Sequence, residues 1–252
     1  MNQNKKLNAD PMKKTAYLLT QKLSFNVQEA YRSLRTNVMF ALPGSGCKCI
    51  GVSSPTPGDG KSTTASNLAI SLAQIGKRVI LVDCDMRLPT IASKFRVKSI
   101  PGLSDFLVGE ARIEEVIRTV ENCDLHILPS GNIPPDATGL LEAKQLESLF
   151  NALRGVYDYV IVDLPPVVTV PDAVILSKHL DGYLLAIKEK HTEHRVIKEM
   201  LRKMELADAK IIGFVLTGSM GGSGRYYKYR YKYKNKYKYY RYGGYYASRS
   251  PK

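Results

Sequence analysis

The chain has 252 residues, 44% of them hydrophobic and 24% charged, enough for one sizeable α/β domain with a full apolar core and too few to suggest two. No run of about 18 apolar residues is present to cross a membrane as a helix, and the opening MNQNKKLNADPMKK has no apolar segment behind its basic residues, as a secretory signal would. The net charge of +14 suggests nucleic acid until it is located: residues 225–252 hold ten Lys/Arg and no Asp or Glu, which leaves only +4 to residues 1–224. The basicity belongs to a tail, and nucleic acid is not an expected partner.

In chain order, residues 1–25 are polar, lack a sustained period and read as an N-terminal arm. Good helix formers fill 29–42 and stop at Pro43-Gly44. Then strand-like and helix-like segments alternate. Short apolar runs at 49–53, 79–82, 125–128, 159–162, 183–187 and 211–216 read as buried strands. Helix-like stretches cover 62–75, 113–120, 140–153, 172–180 and 193–206. This alternation predicts an α/β fold of the P-loop nucleotide-hydrolase type, a mainly parallel sheet with helices on both faces. Right-handed crossovers bring the C-terminal ends of the strands to one edge, where ligands of such sheets bind. A Gly/Ser-rich stretch, 218–224, ends the domain, taken as 26–218; residues 219–252 form a linker and a Tyr/Lys/Arg-rich segment too charged to pack.

The first strand runs into Ser54-Pro-Thr-Pro-Gly-Asp-Gly-Lys-Ser-Thr63, and a helix follows. Gly60-Lys61-Ser62 ends a P-loop in strand–loop–helix context, although Pro55 replaces the first glycine of the pattern. Such a loop turns backbone N–H groups onto a phosphate; Lys61 reaches the β/γ-phosphates and the Ser62 hydroxyl holds Mg²⁺. Asp83 and Asp85 close the second strand and Asp163 closes the strand 159–162. Acids at the ends of apolar strands face the ligand edge and suit a divalent cation. Together these features indicate a Mg-nucleotide site. Cys47, Cys49, Cys84 and Cys123 show no C-x-x-C spacing and read as reduced thiols. His191 and His194, with Glu193 between them, read as the solvent-facing start of a helix, since no third metal ligand lies nearby.

These residues resemble the bacterial tyrosine kinases that control capsule and exopolysaccharide assembly, in the form that works with a separate transmembrane activator. Residues 54–63 look like that family's Walker A loop, 83–87 like its second acidic motif and 161–166 like its Walker B. The resemblance implies ATP and Mg²⁺ as cofactors, bound by Pro57, Gly58, Asp59, Gly60, Lys61, Ser62 and Thr63. It implies Asp83 as the base, with Asp85 and Asp163 ordering Mg²⁺ beside Ser62; the residues themselves do not divide base from metal ligand. Arg87 contacts phosphate or pairs with an acid. Glu29, Arg32 and Arg35 fit the family's E-x-x-R-x-x-R element, which joins protomers into a ring, of eight by resemblance. Thr217 stands where relatives usually place an Asn near the adenine. A transmembrane chain-length regulator and a tyrosine phosphatase are the implied partners, at the inner face of the cell membrane. The alternative is a partitioning or cell-division ATPase, which carries a signature Lys five residues before the main one; Thr56 occupies that position.

Eleven of the sixteen tyrosines crowd the tail: Tyr226, Tyr227, Tyr229, Tyr231, Tyr233, Tyr237, Tyr239, Tyr240, Tyr242, Tyr245 and Tyr246. Each phosphate adds about −1.5 to −2, so full modification would take the tail from +10 to roughly −6 to −12. About 20 extended residues span on the order of 60–70 Å, enough to reach a neighbouring subunit. The tail is therefore expected to be a phosphoacceptor, rather than a solvated or base-stacking segment.

Overall fold

The computed structural model describes residues 18–19, 23–120 and 123–218. The expected tyrosine-rich tail and most of the expected arm lie outside the described residues.

Helix α1 (Phe25–Ala41) precedes strand β1 (Lys48–Ser53), helix α2 (Lys61–Ala73) and strand β2 (Val79–Asp83). Short helices α3 (Ile91–Phe95), α4 (Leu103–Leu107) and α5 (Ile113–Val116) lead to strands β3 (Arg118–Val120) and β4 (Leu125–Leu128). Helices α6 (Ala137–Glu142) and α7 (Lys144–Val156) follow, then β5 (Tyr159–Asp163), α8 (Asp172–Ile175), β6 (Gly182–Lys188), α9 (His194–Leu206) and β7 (Ile211–Thr217).

The seven strands form one sheet in the order β3-β4-β2-β5-β1-β6-β7. Every pair is parallel except β3–β4. Side-chain alternation splits the core between the faces. Val160 and Val162 of β5 pack with Leu149 and Phe150 of α7, while Ile161 packs on the other side with Leu68 and Leu72 of α2. All these side chains are buried, which is why the strands read as continuous apolar runs and why both faces carry helices.

Four local expectations change. The helix read over 113–120 stops at Val116: Ile117 is extended, and Arg118–Val120 pairs antiparallel with β4 as an edge strand. The Arg118 guanidinium fixes this turn by donating to the carbonyls of Glu115 and Pro101. The helix read over 140–153 is two helices, broken where Ala143 is extended (ψ 145°); α6 begins earlier because the Asp136 carboxylate accepts the Gly139 N–H at 2.9 Å. Beyond α8 the chain tightens into a 3₁₀ turn over Leu176–His179. The polar arm includes an anchored point: Leu18 is buried against α2, and the Leu19 N–H donates to Asn67 Oδ1 at 2.8 Å. Among the described residues no helix is long and apolar enough to cross a membrane.

Candidate phosphotransfer site

The sheet order brings the acidic turns and the P-loop together. Strand β5 lies between β1 and β2, and Asp163 is in register with both Val52 and Asp83. The Cys84 N–H donates to the Asp163 carbonyl at 2.9 Å, and the Leu164 N–H to the Val52 carbonyl at 3.0 Å. Three strand ends thus leave the sheet side by side.

Within the P-loop, Gly60 adopts φ 92° and precedes Lys61, the first residue of α2. A Cβ at Gly60 would also stand 3.2 Å from the Thr217 side chain, so conformation and space both require glycine. Lys61 is nearly buried, with Nζ 2.7 Å from Asp85 Oδ2, 3.5 Å from Asp163 Oδ1 and 3.2 Å from Ser62 Oγ. Burial by itself would lower the Lys61 ammonium, but the charges of Asp163 and Asp85 outweigh it and hold the group above its usual value.

Asp83 is fully buried. Its Oδ2 accepts the N–H groups of Ile91 (3.0 Å) and Thr90 (3.2 Å), and its Oδ1 that of Asp85 (3.2 Å). Burial, and then the charge of Asp163, push the Asp83 carboxyl up to about 8 despite these donors. Burial also raises Asp163, opposed by Lys61. The Asp163 oxygens have no partner closer than the Lys61 ammonium at 3.5 Å.

Beside these groups opens a cavity of about 370 Å³, walled by the P-loop on one side and by Asp85, Arg87, Thr90 and Lys94 on another, with Pro165, Pro166, Thr169 and Val170 closing the third. A buried carboxylate whose only close partner is the Lys61 ammonium at 3.5 Å, beside a serine hydroxyl, fits a phosphate-bound Mg²⁺, which uses one or two carboxylates and keeps phosphate and water oxygens. Among the described residues no group of three or more His, Cys, Asp or Glu is placed to hold a metal by itself.

Of the residues expected at the site, Pro57, Gly58, Gly60, Lys61, Ser62, Thr63 and Asp85 line the cavity. Asp163 and Asp83 are fully buried and do not line it, Asp163 reaching Lys61 Nζ at 3.5 Å, and two others turn away. Asp59 is fully buried with its carboxylate facing Thr56 and Thr192, and the Thr217 hydroxyl lies behind the loop, donating to the Asp59 carbonyl at 2.6 Å. Arg87 pairs with an acid: Nε is 3.0 Å from Asp172 Oδ2, and Nη2 also meets Thr138. On α1, Glu29 pairs with Arg32 at 2.6 Å, while Arg35 bends onto α2 to donate to the Ser71 carbonyl at 2.7 Å. Sequence reading missed Lys94, whose Nζ donates to Thr63 Oγ1 at 3.1 Å, along with Asp172 and Thr192. No motif marks any of these three; only Asp172, opening a helix after Pro171, carried a local signal.

A parallel sheet with a P-loop, a buried lysine and acids on two neighbouring strand ends defines a P-loop nucleotide-binding domain, and residues 47–212 match the AAA domain family. The comparison with individual proteins is more specific. The chain is 35% identical over 207 residues to tyrosine-protein kinase YwqD of Bacillus subtilis, covering 82% of this chain and 87% of that one. It superimposes on the kinase domain of the Escherichia coli tyrosine kinase ETK with a TM-score of 0.75 at 28% identity, over 79% of this chain and 78% of the other. The Pyrococcus horikoshii septum site-determining protein MinD, solved with Mg-ADP, gives a TM-score of 0.57 at 23% identity over 69% and 72%, a likeness of fold alone. The chain belongs to the bacterial protein-tyrosine kinase family.

Proposed function

We propose that this kinase transfers the γ-phosphoryl group of ATP to tyrosines of its own tail, Tyr226 to Tyr246, on a neighbouring copy, and so regulates capsular or exopolysaccharide synthesis. One observation carries the nucleotide part: a buried lysine at the head of α2, held between Asp85, just past β2, and Asp163, which ends β5. When phosphate enters, its oxygens take over Lys61 and release Asp85 and Asp163 for the cation. Bound there, Mg²⁺ neutralises charge on the transferring phosphoryl group.

The phenol oxygen forms a bond to Pγ as the bond from Pγ to the bridging oxygen breaks, ADP leaves, and the phenol proton goes to a carboxylate. The family resemblance gives that role to Asp83. In the nucleotide-free protein burial holds this carboxyl above its ordinary value, and only its ionised form can take the phenol proton. Asp85, at the cavity wall, serves the metal with Asp163 and Ser62.

A nucleotide-switch ATPase is the weaker reading. Thr56, at the position of that class's signature lysine, closes its hydroxyl onto Asp59 at 2.9 Å and presents no charge to a partner. By the same resemblance, Glu29, Arg32 and Arg35 join protomers into a ring. A transmembrane activator recruits the kinase to the inner membrane face, and a tyrosine phosphatase reverses it. Arg35 would then exchange Ser71 for a neighbour's group.

Incubation with Mg-ATP and the activator, followed by phosphosite mapping by mass spectrometry, tests the proposal. Wild type should label the tail, and Lys61→Met should not. ATP hydrolysis without any phosphotyrosine would favour the switch ATPase.

A further inference from the structure

The P-loop glycines that let backbone amides face a phosphate also leave the loop with conformational freedom that binding must remove. Gly58 and Gly60 both have positive φ, 85° and 92°. Asp59 stands between them, fully buried, in a position where a carboxylate facing the cavity would repel phosphate. It faces the other way. Asp59 Oδ2 accepts both the N–H of Thr56 at 3.0 Å and its hydroxyl at 2.9 Å, closing a ring across the Pro57-Gly58 turn. Asp59 Oδ1 accepts the Thr192 hydroxyl at 2.8 Å, and Thr192 Oγ1 in turn accepts the Lys188 N–H at 3.2 Å. The Asp59 carbonyl accepts the Thr217 hydroxyl at 2.6 Å. Lys188 and Thr217 are register partners at the ends of β6 and β7. The tip of the P-loop is therefore tied across β1 to two strands that supply none of the catalytic acids.

We propose that Asp59 is a positioning residue, and that with Thr56, Thr192 and Thr217 it forms a brace that presets the P-loop for the nucleotide's phosphates. This rests on the reading that the P-loop binds a nucleotide. The brace joins residues 133 and 158 apart in sequence and acts without touching the ligand: Asp59, Thr192 and Thr217 are absent from the cavity wall. Because it shapes the loop that meets the phosphates of both ATP and ADP, it controls affinity for both.

Two substitutions remove the brace with little change of volume. Thr192→Val keeps the branch and loses the hydroxyl. Asp59→Asn removes the charge and leaves one acceptor oxygen where the carboxylate offers two. Titration with a fluorescent ADP analogue and Mg²⁺ should show Kd raised about tenfold in each, the scale expected for losing a hydrogen bond to a buried charged group. Thr192→Ser, which restores the hydroxyl, should bind within about twofold of wild type. In phosphorylation assays the KM for ATP should rise more than kcat falls, a split that general destabilisation does not produce. If Thr192→Val binds the analogue as tightly as wild type, or if Thr192→Ser loses as much as Thr192→Val, the brace is wrong. Should Asp59→Asn fail to fold, the Thr192 pair decides alone. Wild type that binds no analogue, under conditions where its fold is intact by circular dichroism, overturns the nucleotide reading and the brace together.

Discussion

Replacing Lys61 with Met probes stability and chemistry at once. The ammonium lies 2.7 Å from Asp85 and 3.5 Å from Asp163, and its side chain is only 10% exposed. Methionine fills similar volume, so packing loss is small and the electrostatic change dominates. Removing one partner of a buried ion pair costs about 3–5 kcal/mol, because the remaining charge has no compensation. At about 2–4 °C per kcal/mol for a domain of this size, the melting temperature should fall on the order of 10 °C near pH 8. The cost should shrink on acidification. Burial already raises the Asp163 carboxyl, and Lys61 is the charge that opposes it. Without Lys61, that carboxyl is protonated more readily and its uncompensated charge disappears. Melts of wild type and variant at about pH 6 and about pH 8, without nucleotide, would measure this. An equal drop at both values, or none at either, would refute the placement of Lys61 as the counter-charge of these acids. Phosphotyrosine formation should be lost throughout.

The remaining predictions concern single groups. Asp83 is held at about 8 in the folded protein, against an ordinary 3.8. A raised folded value means its stability contribution is full below the unfolded value and is lost as pH climbs toward the folded one. Thermal stability without nucleotide should therefore decline from weakly acidic to weakly alkaline pH, and Asp83→Asn, neutral throughout, should flatten that slope in a melt series. Lys94→Met removes a cation at the cavity wall beside Thr63 and should raise the KM for ATP by about tenfold in steady-state kinetics, with Lys94→Arg milder. Gly102→Ala would drive a methyl into the backbone of Pro129 and Gly131; denaturant unfolding should show a loss on the order of 3 kcal/mol.

Much of this molecule is decided locally, and those parts were legible in the sequence. Five of the six parallel strands are short apolar runs because both faces are covered, and burial on two sides leaves a composition signal that needs no partner to be recognised; β7, read as equally buried, is an edge strand whose Phe214 and Leu216 are exposed. The P-loop is equally local, since its glycines and lysine act within ten residues on one turn. The acids that end β2 and β5 announced themselves by following buried runs directly.

What the sequence left open depends on pairings between distant segments. Residues 113–120 carry helix formers, yet Arg118–Val120 becomes a strand because β4 offers a free edge, which local propensity does not register. Asp163 takes its place between the other two strand ends only because the sheet inserts β5 between β1 and β2. Asp59 looks like a ligand from its motif, but Thr56 beside it and Thr192, folded against it from far along the chain, hold its carboxylate away from the cavity. Residue type set which groups could do the chemistry. Tertiary packing determined which of them reach the cavity, because a side chain's direction is fixed by neighbours that sequence spacing does not specify.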